Sequence, residues 1–174
     1  MTPILIVPGY RDSGLGHWQS LWEEALPDCT RVQMPSWDQP ARGPWIEALD
    51  EAIAAAADSP ILVGHGLGCI VIAQWAAGHE RTIQGALLAA PVDVERADIG
   101  GPQQSFRPIP RLTLPFPAIL AASSNDPFMG LERAHELAAD WEADFVDLGP
   151  CGHLDRDSGH GSWLRGEALL AELR

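Results

Sequence analysis

Gly64-His65-Gly66-Leu67-Gly68 follows the apolar run Ile61–Val63 and opens a helical pattern. Glycines at the first and fifth places of such a pentad let a strand turn sharply into a helix, which lifts the middle residue into a cleft. A nucleophile belongs at that middle place, and Gly66 stands there. Asp126, in Ser123-Ser124-Asn125-Asp126-Pro127-Phe128, and His153, in Gly149-Pro150-Cys151-Gly152-His153, follow in that order. Each comes just after an apolar run. A histidine so placed acts as base toward a nucleophile, and a carboxylate fixes its tautomer and steadies the imidazolium. His160, farther on in a Gly-rich stretch, is the rival base. An oxyanion needs two backbone N–H groups. Leu67 at the start of the helix offers one, and Tyr10 or Arg11 in Pro8-Gly9-Tyr10-Arg11-Asp12-Ser13 the other. The pattern is that of ester, thioester or amide hydrolysis through an acyl-enzyme, less the attacking oxygen.

Other readings of the same residues are weaker. Gly64-x-Gly66-x-Gly68 lacks the G-x-G-x-x-G spacing of a dinucleotide turn, and no Lys-Ser/Thr pair follows as in a phosphate loop. Cys69 falls one helical turn past Gly66 and reads as a core cysteine, not a replacement nucleophile. Ser13 would need fortunate geometry to serve as one. Trp37, in the loop Pro35-Ser36-Trp37-Asp38, is the tryptophan expected to line a pocket, with Trp18 second. Ser13, His17 and His65 are the remaining candidates for ligand contact, and Asp12, Ser13 and His17 also suit caps or turns.

These residues need a scaffold that gathers loops at one edge. Six short, mostly apolar runs are expected as strands: Ile4–Val7, Arg31–Met34, Ile61–Val63, Ala86–Ala90, Ala118–Ala122 and Phe145–Leu148. Such runs read as strands buried on both faces of a parallel sheet. Between them His17–Ala25, Trp45–Ala57, Leu67–Ala77, Leu131–Trp141 and Ser162–Leu173 carry helical spacing. The expected fold is a single α/β domain over residues 1–174, a three-layer sandwich around a six-stranded parallel sheet, without a cap domain. The Pro-rich stretch from Pro91 to Pro117 breaks the alternation; a cover over the site and plain packing are equal expectations for it.

Composition narrows the partners. The formal net charge of −13 disfavours nucleic acid, which needs clustered Lys and Arg. Three widely spaced cysteines form neither a disulfide framework nor a CxxC metal site, and a reducing cytoplasm suits them. The N-terminal run has no basic leader and reads as a strand. No apolar stretch approaches the roughly 18 residues of a membrane span. No metal or organic cofactor is expected.

The chain resembles the small single-domain serine hydrolases of the α/β-hydrolase superfamily related to the retinoblastoma-binding serine hydrolase. Val7-Pro8-Gly9, Gly14-x-x-His17-Trp18-Gln19-x-x-Trp22, the glycine pentad, Ser123–Pro127 and Gly152-His153 carry the resemblance over nearly the whole length. It implies a serine where Gly66 stands, working with Asp126 and His153. Two readings stay open. The chain is an enzyme silenced by loss of its serine, or a natural pseudo-hydrolase that binds a small acyl ligand or a protein partner. Glycine accepts positive φ, so the Gly66 chain is expected to be at least as stable as its serine form.

Overall fold

The computed structural model describes residues 1–174. Six strands, β1 (Ile4–Val7), β2 (Cys29–Arg31), β3 (Ile61–Gly66), β4 (Gly85–Pro91), β5 (Ala118–Ala122) and β6 (Asp144–Asp147), form one parallel sheet in the order β2-β1-β3-β4-β5-β6. Five helices accompany them, four between strands and the last after β6: α1 (Trp18–Ala25), α2 (Arg42–Ala55), α3 (Leu67–Gly78), α4 (Leu131–Trp141) and α5 (Leu164–Glu172). No helix is long and apolar enough to cross a membrane.

Strand periodicity sorts the core into two layers. Along β1, Ile4 and Ile6 join Trp18, Trp22, Trp163 and Leu170 on the face covered by α1 and α5. Leu5 and Val7 join Leu49, Ile70, Leu137 and Trp141 on the face covered by α2, α3 and α4. Helix α3 is buried along Leu67–Trp75, as its nearly continuous apolar sequence requires.

Both edge strands differ from expectation. β2 pairs with β1 through Ile4–Cys29, Leu5–Thr30 and Ile6–Arg31, so it lies earlier than Arg31–Met34. Val32 and Met34 are buried beyond the strand, which is why their apolar pattern read as its body. β6 begins and ends on exposed aspartates, Asp144 and Asp147. Charge on an edge discourages pairing with another chain. Helix boundaries shift as well: α2 starts at Arg42, α1 starts after His17, and α5 spans only Leu164–Glu172.

The stretch between β4 and β5 is mostly packing. Phe106, Ile109 and Leu114 are buried in the larger core layer, and Phe106 sits edge-on to Trp45 at 5.9 Å. A 3-10 turn covers Gly101–Phe106. The Arg107 side chain donates to the carbonyls of Arg96 (2.9 Å) and Ile99 (2.6 Å), which ties the segment to itself. From this segment, Val92 and Gln103 reach the cavity described next.

Candidate active site

The chain order reverses direction between β1 and β3, and open parallel sheets bind ligands where connections diverge at such a point. A cavity of about 330 Å³ opens there, at the carboxyl ends of the strands. The loop after β1 supplies Gly9 to Asp12, the β3–α3 turn supplies Gly66 and Leu67, and the loop after β6 supplies His153 and Asp155.

Gly66 makes the turn with φ 56° and ψ −121°. Side chains rarely adopt that backbone, and holding one there costs on the order of 1–3 kcal/mol. A Cβ built on Gly66 would lie 3.1 Å from His153 Nε2. The base therefore faces the place where a side chain at 66 would begin. Gly68 serves the same turn by close approach, since a Cβ there would fall 2.0 Å from the Val7 carbonyl oxygen.

Asp126 and His153 meet as a carboxylate–imidazole pair. His153 Nδ1 lies 3.0 Å from both Asp126 carboxylate oxygens. The carboxylate accepts from Nδ1–H, so the lone pair sits on Nε2, toward Gly66. The Asp126 side chain is 1% exposed, and its Oδ1 also accepts from the Phe128 amide at 2.9 Å. Two residues hold the histidine loop against this aspartate. Asn125 Oδ1 accepts from the Gly152 amide at 2.7 Å, and Ser123 Oγ accepts from the Cys151 amide at 2.9 Å. Both belong to the quoted Ser123–Pro127 run, yet neither had an expected role, because their partners lie 27 and 28 residues away. Phe128 stands edge-on to the His153 ring at 4.8 Å, another contact no spacing signalled.

The two candidate loop amides separate cleanly. The Arg11 amide donates to the Trp37 carbonyl at 3.0 Å, whereas the Tyr10 amide has no hydrogen-bond partner. Leu67 opens α3, where the first amides have no acceptor inside the helix. The Tyr10 amide is thus the one of the two that remains without an acceptor, beside Leu67 at the start of α3. Arg11 lines the cavity with its side chain, which rests on the Tyr10 ring 4.9 Å from its centroid. Arg11 and Asp12 hold consecutive positive φ values of 67° and 65°, strain that fits a loop shaped for its site.

Of the other expected contact residues, His17 and His65 line the cavity, and Ser13, Trp18 and Trp37 do not. Ser13 is buried with its hydroxyl on Gln19. Trp18 is fully buried, edge-on to Trp22 and Trp163, with Nε1 donating to the Leu154 carbonyl at 3.0 Å. Trp37 packs edge-on to Trp45 at 5.7 Å, and what it offers the site is its backbone carbonyl. In each case burial of a large or bonded side chain outweighed its proximity in sequence to the cleft. Cys69 is buried, its thiol donates to the Ala89 carbonyl at 3.4 Å, and burial pushes its pKa well up. His160 lies outside the cavity wall, while Asp155 and Gln103, neither a candidate from the sequence, lie within it.

Three imidazoles line the cavity in a row, His17 to His65 to His153, with successive ring centroids 4.8 Å apart. His65 Nε2 donates to the His153 carbonyl at 2.8 Å. Burial pushes the pKa of His65 well below its ordinary value and that of His17 down to about 4. In the unfolded chain both take up a proton near pH 6.5. Below that pH the unfolded state binds protons that the folded state refuses, so stability falls as pH drops from 6.5 toward 4. For His17 alone the loss between pH 7 and pH 5 is about 2 kcal/mol. Urea unfolding at the two pH values should show it, and His17→Asn should flatten the dependence by a similar amount. An unchanged slope in that variant would contradict the assignment.

A parallel six-stranded sheet of this order, with a glycine turn, an aspartate and a histidine meeting at its carboxyl edge, defines an α/β-hydrolase-type fold. The chain belongs to the serine hydrolase family, whose model matches residues 4–172. It is similar to a YdeN-like hydrolase from Pectobacterium atrosepticum, at 32% identity and a TM-score of 0.89 over 99% of this chain and 90% of that one. The ydeN gene product from B. subtilis shares 19% identity with a TM-score of 0.76, over 99% of this chain and 98% of that one. A thermophilic esterase from Thermogutta terrifontis shares the fold at 13% identity and a TM-score of 0.71, over 99% and 90%. No curated protein sequence matches it.

Proposed function

We propose that this chain keeps the acyl-binding site of a small serine hydrolase, of the kind related to the retinoblastoma-binding serine hydrolase, with Gly66 in the nucleophile's place. It binds small esters, thioesters or amides and turns them over negligibly. One observation carries the reading: His153 Nε2, oriented through Asp126, faces the Gly66 Cβ position at 3.1 Å, and no serine, threonine or cysteine lines the cavity. A base facing no serine, threonine or cysteine side chain has no nucleophile of the usual kind to activate, and so no ordinary acyl-enzyme route. The cavity volume of about 330 Å³ suits a short acyl group.

With serine at position 66, the residues divide the work in a known way. His153 takes the hydroxyl proton as the oxygen adds to the carbonyl carbon. Asp126 steadies the resulting imidazolium, and the Tyr10 and Leu67 amides receive the oxyanion. His153 then returns the proton to the leaving group. The acyl-enzyme is released by water through the same base. In the Gly66 chain the binding half of this arrangement persists without the covalent half.

A fluorophosphonate probe separates the possibilities. Gly66→Ser should be labelled at position 66, and the chain as it stands should not be labelled. Labelling of the Gly66 chain at Ser13 or Cys69 would overturn the reading, as would an unlabelled but folded Gly66→Ser variant.

A further inference from the structure

His17 does two jobs with one ring. It is the N-cap of α1, where its Nδ1 accepts from the Gln19 amide at 3.1 Å. An imidazole that accepts at Nδ1 and is neutral must carry its proton on Nε2. That Nε2–H is buried and has no hydrogen-bond partner in the protein. His17 as a whole is 5% exposed, yet it lines the cavity beside His65 and Asp155. A buried donor without an acceptor costs roughly 1–3 kcal/mol, so a ligand that brings an acceptor to this wall of the cavity gains by satisfying it.

Resting on the reading above, we infer that His17 is a specificity residue: its Nε2–H receives a second, uncharged oxygen of the bound acyl compound, such as an ether, hydroxyl or carbonyl oxygen. Several features narrow the choice to that class. Cationic ligand groups offer no lone pair to an N–H donor. Carboxylates meet Asp155 at the same wall, with Arg11 as the one cationic side chain lining the cavity. Asp12 is already held by Arg31 at 2.7 Å. Burial keeps His17 uncharged at neutral pH, so it selects by hydrogen bonding and not by charge. The His17 ring lies one imidazole away from that of His153, so the second oxygen sits only a few atoms from the reacting carbonyl.

Isosteric ester pairs test this directly. In the Gly66→Ser background, p-nitrophenyl butyrate is compared with p-nitrophenyl methoxyacetate, and p-nitrophenyl pentanoate with p-nitrophenyl 3-methoxypropanoate. Within a pair one methylene becomes an ether oxygen. His17→Asn retains an N-cap acceptor but shortens the donor's reach. For at least one pair, the kcat/KM ratio of oxa to carba ester should fall about tenfold in His17→Asn, mainly through KM. Taking ratios cancels the intrinsic reactivity of the oxa esters. Equal losses for both members of every pair would mean that His17 only caps α1, and the inference fails. If Gly66→Ser hydrolyses none of these esters, the acyl-site reading fails by itself, and the inference is judged on the Gly66 chain. There, ethyl methoxyacetate or ethyl 3-methoxypropanoate should move the His17 Nε2 proton resonance downfield, while ethyl butyrate and ethyl pentanoate should not. No such difference would overturn the inference.

Discussion

Gly66→Ser should convert this chain into an esterase, raising hydrolysis of short p-nitrophenyl esters by on the order of 10³- to 10⁶-fold. The size follows from what the site retains. In subtilisin, removal of the nucleophile costs on the order of 10⁶ in kcat, and what survives comes from binding and the oxyanion donors. Here the base is oriented, with Nδ1 3.0 Å from both oxygens of Asp126. The Tyr10 amide is free of any partner. On the proposed reading, the nucleophile oxygen is the one group that Gly66→Ser must restore. The lower bound allows for an imperfect fit, because a Cβ at position 66 would sit 3.1 Å from His153 Nε2 and the ring must withdraw by a few tenths of an ångström. A folded serine variant with no activity above the parent would sink the acyl-site reading.

That gain should come with a cost in stability. A serine at φ 56° and ψ −121° is strained by about 1–3 kcal/mol, offset by about 0.4–1 kcal/mol from the stiffer unfolded chain. The net loss, up to about 2.6 kcal/mol, corresponds to a Tm lower by up to about 5–10 °C for a domain of this length. Scanning calorimetry of both chains checks it, and a serine variant that melts higher would contradict the strain argument.

Gly68→Ala should be severely damaging, costing about 4 kcal/mol or more. Its Cβ would lie 2.0 Å from the Val7 carbonyl oxygen and 3.0 Å from that of Pro8. Neither partner can swing aside, because both are backbone: Val7 closes β1, which pairs with β3 through Val7–Gly64. Relief would require prising α3 away from β1, which breaks the packing of the most buried helix. The variant should express poorly or lose on the order of 10 °C in Tm. A Gly68→Ala protein within about 1 kcal/mol of the parent would show that the turn yields more readily than this close approach allows. Gly14→Ala is the natural control, since nothing lies within 4 Å of a Cβ there.

Much of this protein was legible in its residues alone. β-α alternation, α4 at Leu131–Trp141, the glycine turn before α3 and the order Asp126 then His153 all depend on short-range rules: periodicity, chain stiffness and what may follow a strand. The edge strands were less legible, because an edge is defined by the absence of a neighbour. Val32 and Met34 look like strand residues to any local pattern, yet they are buried beyond the end of β2.

What the sequence by itself determined, then, is the list of groups that can do chemistry and the scaffold able to gather them. Tertiary structure decided which of those groups are free to do it. Tyr10 and Arg11 are adjacent and equal as sequence; only the Trp37 carbonyl, 26 residues on from Arg11, occupies one amide and leaves the other open. Trp18 and His17 are adjacent too, but Trp18 spends its N–H on Leu154 and joins the core, while His17 keeps a buried N–H unspent at the cavity wall. The reason is physical. A hydrogen-bonding group becomes available for a ligand only when no distant part of the chain satisfies it first, and the folded contacts alone set that condition.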